Sequence, residues 1–478
     1  MNQTNRGETT GNVYFSGREN KVGVTLFAGN TSQKATDVNN DGFSDIPEFH
    51  YMLFHPRVYF YMNDRTKLMI GYTSLFENRV GGDMQAILYK PDALHSYLET
   101  NNTKRNTFET EFTHNAKQGN TLTAKGTLSI FDRIMNQNGT ILNATQASGY
   151  SEISYLVQKE KHTAVFGGNI LYNGFTIHHA DSSQIRDFSN NTIGAFVQDD
   201  WKLTNKMTLE TGLRTDYHSV YGAFVLPRIS VLYKILPELS SRLNAGMGYV
   251  TPSVFSDQSL VPLFRYLLPV PTTVNPERSE GINFDLNYKK SFNNEVSLIV
   301  NQSFFYSKVN NPVIASKDSS TGMISFNNAT YYIDTKGSDT YVRLLLYDVE
   351  LYLGYTVTIA KSYNKPGGEQ LPLTPKSKVS YIIAYDYKES WRCGIESSYQ
   401  TFQYLDTREK VKGYWFYALL IEKKIRNTSI ILNCENVLDF RQTKVESIYT
   451  GSMSSPVFRQ IWAPLDGRIV NLAVRMKF

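Results

Sequence analysis

The sequence predicts an all-β fold, a transmembrane antiparallel β-barrel. Three observations predict it: strict two-residue alternation, an excess of amphipathic rings, and an uneven spacing of turns. The tail shows the alternation most clearly. In VNLAVRMKF, Val470, Leu472, Val474, Met476 and Phe478 fall on one face and Asn471, Ala473, Arg475 and Lys477 on the other, the period of a strand. The pattern recurs in MTLETGLRTDYH, where Met207, Leu209, Leu213 and Tyr217 oppose Glu210, Gly212, Arg214, Asp216 and His218, and again in GINFDLNYKK and ELYLGYTVT. A soluble sandwich buries such an apolar face on a second sheet. A barrel in lipid turns it to acyl chains and rings each end with aromatics. Leu209, Leu213, Val470, Leu472 and Val474 are therefore expected to face lipid.

Composition agrees. Hydrophobic residues make up 41% and aromatics 13%, with 32 Tyr and 27 Phe, while charged residues are only 19%. The longest wholly apolar or aromatic run, WFYALLI at 415 to 421, is far short of the roughly 18 to 20 residues of a spanning helix. A mean hydropathy of −0.35 is compatible with a barrel, because lumen-facing and lipid-facing residues average out. No linker, charge block or low-complexity tract divides the chain, so residues 1 to 478 read as one domain. The net charge of +5 is small for the length and the basic residues are scattered, which argues against a nucleic-acid partner. The start, MNQTNRGETTGNVYF, has no basic segment followed by an apolar one, so no secretory signal is expected here.

Turn signals set the strand count. Short polar turns, SGREN at 16, NDRT at 63, AKQGN at 116, KLTNK at 202, FNNE at 292 and KIRN at 424, alternate with long connections. The long ones are expected at 83 to 103, 136 to 146, 178 to 191, 254 to 275, 312 to 324, 362 to 373 and 442 to 463. Short turns on one rim and long loops on the other are the asymmetry of bacterial outer-membrane barrels, and the segmentation gives about 21 strands. Such barrels have an even count with both termini at the short-turn rim. Counting back from the tail makes GNVYFSG strand two. Strand one is then expected to be missing, and direct pairing of GNVYFSG with VNLAVRMKF would be parallel.

One connection carries its own chemistry. Residues 37 to 48, DVNNDGFSDIPE, satisfy the calcium-loop pattern D-x-[DN]-x-[DN]-G-x5-E. Asp37, Asn39, Asp41 and Asp45 offer side-chain oxygens, Phe43 its carbonyl and Glu48 a bidentate carboxylate, with Gly42 at the sharp turn. The flanks, KVGVTLFAGN and FHYMLFHPRVYFYMND, are strand compositions, so an EF-hand is excluded. The expectation is a Ca²⁺ loop on the long-loop rim, with Asp83 of VGGDM as a further ligand.

Several stretches carry a family likeness. GAFVQDDWKLTNKMTLETGLRTDYHS followed by LPRISVLYK and AGMGYVTPSVF, the strand opener NPERSEGINFDLNY, the closing hairpin CENVLDFRQT and the aromatic end NLAVRMKF together resemble a TonB-dependent outer-membrane transporter barrel. DGFSDIP and IWAPLDGR give it the look of the versions in Bacteroidetes-type bacteria. The resemblance implies a bacterial outer-membrane receptor barrel of about 22 strands that imports a scarce nutrient, a metal chelate such as a ferric siderophore, haem or cobalamin, with energy from TonB. It also implies a signal peptide, a TonB-contacting segment and a plug, which are expected to lie ahead of residue 1. Outer-membrane lipid and the TonB complex are the implied partners, and a monomer is expected. Some members that carry cobalamin use calcium to order outer loops.

Other residues weigh less. His178 and His179 in TIHHAD are placed in an outer loop, where a solvated role outweighs haem or metal contact. Glu210, Arg214, Asp216, Asp285 and Arg475 are expected to pair with one another or with the plug. No nucleophile–base signature such as G-x-S-x-G or H-E-x-x-H occurs, so an enzyme is not expected. Cys393 and Cys434 fall two strands apart and should be free thiols. The alternatives are a passive porin or adhesin-like barrel without energy coupling, and a soluble calcium-binding β protein.

Overall fold

A computed structural model describes residues 1–181, 184–255 and 264–478. Alternation and hairpin turns produce a closed barrel of 22 antiparallel strands. The first eight are β1 (Asn2–Thr4), β2 (Thr9–Glu19), β3 (Val22–Gln33), β4 (Glu48–Asn63), β5 (Thr66–Gly82), β6 (Leu98–Asn115), β7 (Thr121–Gln137) and β8 (Thr140–Gln158). The wall continues through β9 (His162–Ala180), β10 (Phe188–Lys202), β11 (Met207–His218), β12 (Gly222–Lys234), β13 (Leu239–Val250), β14 (Glu277–Ser291) and β15 (Val296–Asn310). It ends with β16 (Ile333–Leu346), β17 (Val349–Ser362), β18 (Ser377–Tyr387), β19 (Trp391–Gln400), β20 (Tyr414–Ile425), β21 (Thr428–Glu435) and β22 (Ile469–Met476). The two-residue strand Glu369–Gln370 adds onto β17, and among the described residues three small hairpins sit in loops.

Strand one is present, against the sequence expectation. Asn2 pairs with Thr10 on β2 and with Ala473 on β22, both antiparallel. The Met1 ammonium donates to the Val474 carbonyl at 2.8 Å. The expected parallel seam is therefore replaced by a short antiparallel zipper. The segmentation missed it because NQT is too short for any period to register. β1 reaches only Thr9 and Thr10 of β2, so Gly11–Glu19 is paired with β3 alone, and this part of β2 is exposed on both faces.

The turn asymmetry holds with two corrections, one of them that the expected 178 to 191 connection is shorter, because the ladder carries β9 to Ala180 and opens β10 at Phe188. Tight turns such as 64–65, 203–206 and 426–427 mark one rim, and the connections 34–47, 83–97, 251–276, 311–332 and 436–468 mark the other. The stretch 136 to 146 is not a loop. Gln137 pairs with Thr140, and Asn138 and Gly139 take φ of +48° and +85°, the left-handed pair that closes a tight hairpin in step with strand twist. The long β8 and β9, at 19 residues each, span roughly 60 Å. Even tilted they rise above the apolar band of about 25 Å, so this part of the wall projects beyond the membrane.

Side-chain parity follows the prediction. Leu213, Val470 and Leu472 are exposed on the outer surface, Leu209 and Val474 are partly so, and Asp216 and His218 are buried on the lumen side. The apolar core of the molecule lies at the long-loop end. There Leu142, Ala144 and Phe175 of β8 and β9 meet Val254, Phe264, Leu267, Ile324 and Phe326 from the loops folded over them.

Candidate functional site

In an antiparallel ladder, directly opposed residues share a face. Register therefore decides what the lumen wall presents near its long-loop end. One inward row runs Glu77, Thr103, Arg133, Ala144 across β5 to β8. The next toward the loops runs Arg79, Asn101, Met135, Leu142, and the row on the other side of the first carries Phe131 opposite Gln146, which is opposite Phe175. Apart from Glu77 and Thr103, these side chains form one wall of a cavity of about 860 Å³. Phe43, Ser44 and Pro47 from the 34–47 loop, Tyr97 from the 83–97 loop, Phe255 and Phe264 from the 251–276 loop, and Ile448 and Phe458 from the 436–468 loop complete it.

The lining is mostly aromatic and aliphatic, with few charges. Arg133 Nε donates to Asn101 Oδ1 at 2.6 Å, Arg79 pairs with Glu77 at 3.1 Å, and the Tyr97 hydroxyl donates to Glu99 at 2.6 Å. Gly82, at φ +126°, lets the chain turn from β5 into its loop, and a Cβ there would meet the Tyr97 carbonyl at 2.4 Å, so no other residue fits without a shift. The sequence reading did not find this cavity. Its signal was the inward parity of FDRIMNQ, which places Phe131, Arg133, Met135 and Gln137 on one face.

The 37–48 loop forms a compact turn against this cavity. Asp37 Oδ1 accepts the amides of Asn39, Asn40 and Asp41, and its Oδ2 accepts that of Gly42 at 2.8 Å. Asn39 Nδ2 donates to Asp41 Oδ2 at 2.8 Å, and Asp41 Oδ1 accepts the Phe43 amide. Gly42 takes φ +92°, the left-handed turn expected of it. Asp45 Oδ2 accepts the Val38 amide at 2.7 Å, while its Oδ1 is enclosed without a partner. Burial, with Asp41 and Asp37 adding repulsion, pushes the Asp45 carboxyl up to about 6. Glu48 opens β4 and lines a second cavity of about 410 Å³ with Gln33 and Lys34. Among the described residues no group of three or more His, Cys, Asp or Glu stands in a metal-holding arrangement.

Asp83 is turned elsewhere. It caps the short helix α1 (Met84–Leu88), accepting the amides of Gln85 and Ala86, and its Oδ2 meets His95 Nδ1 at 2.8 Å. His178 and His179 sit at the end of β9, where the register slips between Asn143 and Ala144, and not in a loop. His178 bonds Thr145 and His179 bonds Asp181. The lumen charges largely pair: Arg214 with Asp216 at 2.9 Å, Arg228 with Glu210 at 3.5 Å, and Arg475 with Glu422 at 2.8 Å. Asp285 faces Arg242 and Ser303 across the ladder.

The fold is similar to solved outer-membrane receptors. The FrpB iron transporter from Neisseria meningitidis superposes with a TM-score of 0.78 at 11% identity, covering 100% of this chain and 80% of that one. The ferric-catecholate import receptor Fiu from Escherichia coli K12 gives 0.74 at 12%, covering 100% and 81%. The siderophore receptor PirA from Acinetobacter baumannii gives 0.75 at 14%, covering 100% and 79%. No curated protein matches in sequence. The model of the family described as TonB dependent receptor-like, beta-barrel, matches residues 2–437. With that match over a closed 22-strand barrel, the chain belongs to the TonB-dependent receptor β-barrel family, transporters and not enzymes, which work in nutrient uptake at the bacterial outer membrane.

Proposed function

We propose that this barrel imports a scarce nutrient as a small chelate, a ferric siderophore, haem or cobalamin, with energy delivered by TonB through a plug and contact segment ahead of the barrel. The cavity at the long-loop end of the lumen carries this reading. Its size of about 860 Å³ lies in the range of small-molecule sites, roughly 300 to 1,000 Å³, and its aromatic walls with a few placed polar groups suit an amphipathic ligand. Titration of the barrel in lipid nanodiscs with ferric chelates, haem and cobalamin, followed by intrinsic fluorescence, tests it. Saturable binding of one class at micromolar affinity or tighter is the expected result, and no binding by any of them overturns it. A passive porin would instead conduct ions constitutively and support uptake in cells lacking TonB.

We further propose that the 37–48 loop holds Ca²⁺ through Asp37, Asn39, Asp41, Asp45 and the Phe43 carbonyl, with Glu48 as the expected bidentate ligand. The enclosed, unpartnered Asp45 Oδ1 and the turn at Gly42 favour it. Bound calcium would offset the repulsion among three carboxylates. Calorimetry should give a dissociation constant in the micromolar to millimolar range, weakened by Asp41→Ala. Absence of calcium heat retires this part alone.

A further inference from the structure

The second cavity, of about 410 Å³, opens on the outer surface of the wall and not on the lumen. One ladder row crosses it: Gln3, Thr9, Ser32, His50 and Asn78 stand opposite one another in turn on β1 to β5. Gln3 also opposes Leu472 of β22, which is exposed on the lipid side, so the whole row has outward parity. One row nearer the short-turn rim the same face carries Met52 and Phe76, and the row after it carries Phe54, all three exposed. The cavity therefore sits where the outer wall changes from apolar to polar, at the height of the outer-leaflet headgroups. Gly7 and Lys34, beyond the ends of β1 and β3, form its upper lip.

The polar groups of this cavity are mostly neutral. Ser32 and Asn78 make no side-chain hydrogen bond among the described residues. The Thr9 hydroxyl donates to Gln3 Oε1 at 2.6 Å, and Asn30 Nδ2 lies 2.9 Å from His50 Nε2, which leaves Gln3 Nε2 and His50 Nδ1 open to a ligand. Lys34 and Glu48 at the rim offset each other in charge. A phosphate brings acceptors alone and would be repelled by Glu48. Sugar hydroxyls each bring a donor and two lone pairs, which suits amides, a hydroxyl and an imidazole set in one row. The volume falls within the range of small-ligand sites, roughly 300 to 1,000 Å³. We propose that this cavity binds the sugar headgroup of an outer-leaflet glycolipid, its hydroxyls on Ser32, His50 and Asn78 and its acyl chains along Met52, Phe54 and Phe76. The site stands apart from the lumen cavity and does not rest on the uptake reading.

The test places the full chain in phosphatidylcholine nanodiscs doped with an alkyl maltoside that carries a photoreactive group in its chain, and maps the cross-links by mass spectrometry. Cross-links should concentrate on residues 50–54 and 74–78. The double variant Ser32→Val, Asn78→Leu should lower them at least about fivefold, the effect of losing two neutral hydrogen bonds. Heat-modifiable gel mobility checks that this variant is folded. A photoreactive phosphatidylcholine should not concentrate at these positions, and that contrast on wild type needs no variant. Cross-links spread evenly around the barrel, labelling that survives the double substitution, or equal concentration of the phosphatidylcholine probe overturns the site. Displacement of the alkyl maltoside by free maltose at the same concentration overturns its assignment to a lipid.

Discussion

Phe43 meets Tyr449 edge to face, with ring centroids 4.6 Å apart, and so joins the loop after β3 to the loop before β22. Phe43 is only 2% exposed and also touches Phe458 and Tyr97. Two polar links run alongside, from Arg441 to the Val38 carbonyl at 2.7 Å and from the Tyr449 hydroxyl to the Asp41 carbonyl at 3.4 Å. One side chain thus clamps three outer loops and lines the cavity.

Truncating that clamp should loosen the loops without opening the barrel. Phe43→Ala is expected to lower the local opening free energy of the 34–47 and 436–468 loops by about 3–5 kcal/mol, the usual cost of emptying a buried phenylalanine site. Hydrogen exchange should show both loops deprotected while the strands β5 to β9 keep their protection. Unchanged loop protection would contradict the clamp.

The loop should also respond to pH. The Asp45 carboxyl is raised from 3.8 to about 6, first by burial and then by Asp41 and Asp37. A raised folded pKa means that the folded loop binds the proton more tightly than the unfolded one. Its contribution is therefore fullest below 3.8 and is lost as pH rises through about 6. Limited proteolysis of the 34–47 loop should speed up across that window in the absence of divalent cations, and Asp45→Asn should flatten the dependence. Faster cleavage at the acid end would refute the sign.

The partly unpaired edge of β2 predicts a weak point in the wall. In lipid each unpaired backbone group is costly, and Gly11–Glu19 has neighbours only on the β3 side. A peptide strand that pairs along this edge in the β1 register is expected to raise the temperature at which the folded gel mobility is lost. An unchanged transition temperature would show that the β1 zipper already suffices.

The two cysteines should remain reduced. Cys393 is opposite Ile421, and Cys434 is opposite Leu419, with β20 between them. That leaves their Cα atoms roughly 9 Å or more apart, beyond the approximately 7 Å that a disulfide tolerates. Mass spectrometry of the native protein should find two free thiols, each labelled by a lipid-soluble maleimide.

Sequence by itself determined the barrel and most of its wall. A period of two leaves little freedom once one face must meet lipid, so parity at Leu213, Asp216 or Leu472 could be read without coordinates. Turn chemistry was equally local, except at Asn138–Gly139, where a tight hairpin joins strands longer than the membrane requires. Only the tertiary structure decided closure and the site. β1 is defined by partners at Thr10 and Ala473, at opposite ends of the chain, because three residues carry no pattern of their own. The large cavity exists only once register sets Phe131, Arg133 and Met135 on one inward face and loops distant in sequence fold over them. The calcium-type pattern was legible as ligands. That Phe43 at its centre also clamps Tyr449 was not, because a ring's partners across a rim are set by packing between loops and leave no spacing in the sequence.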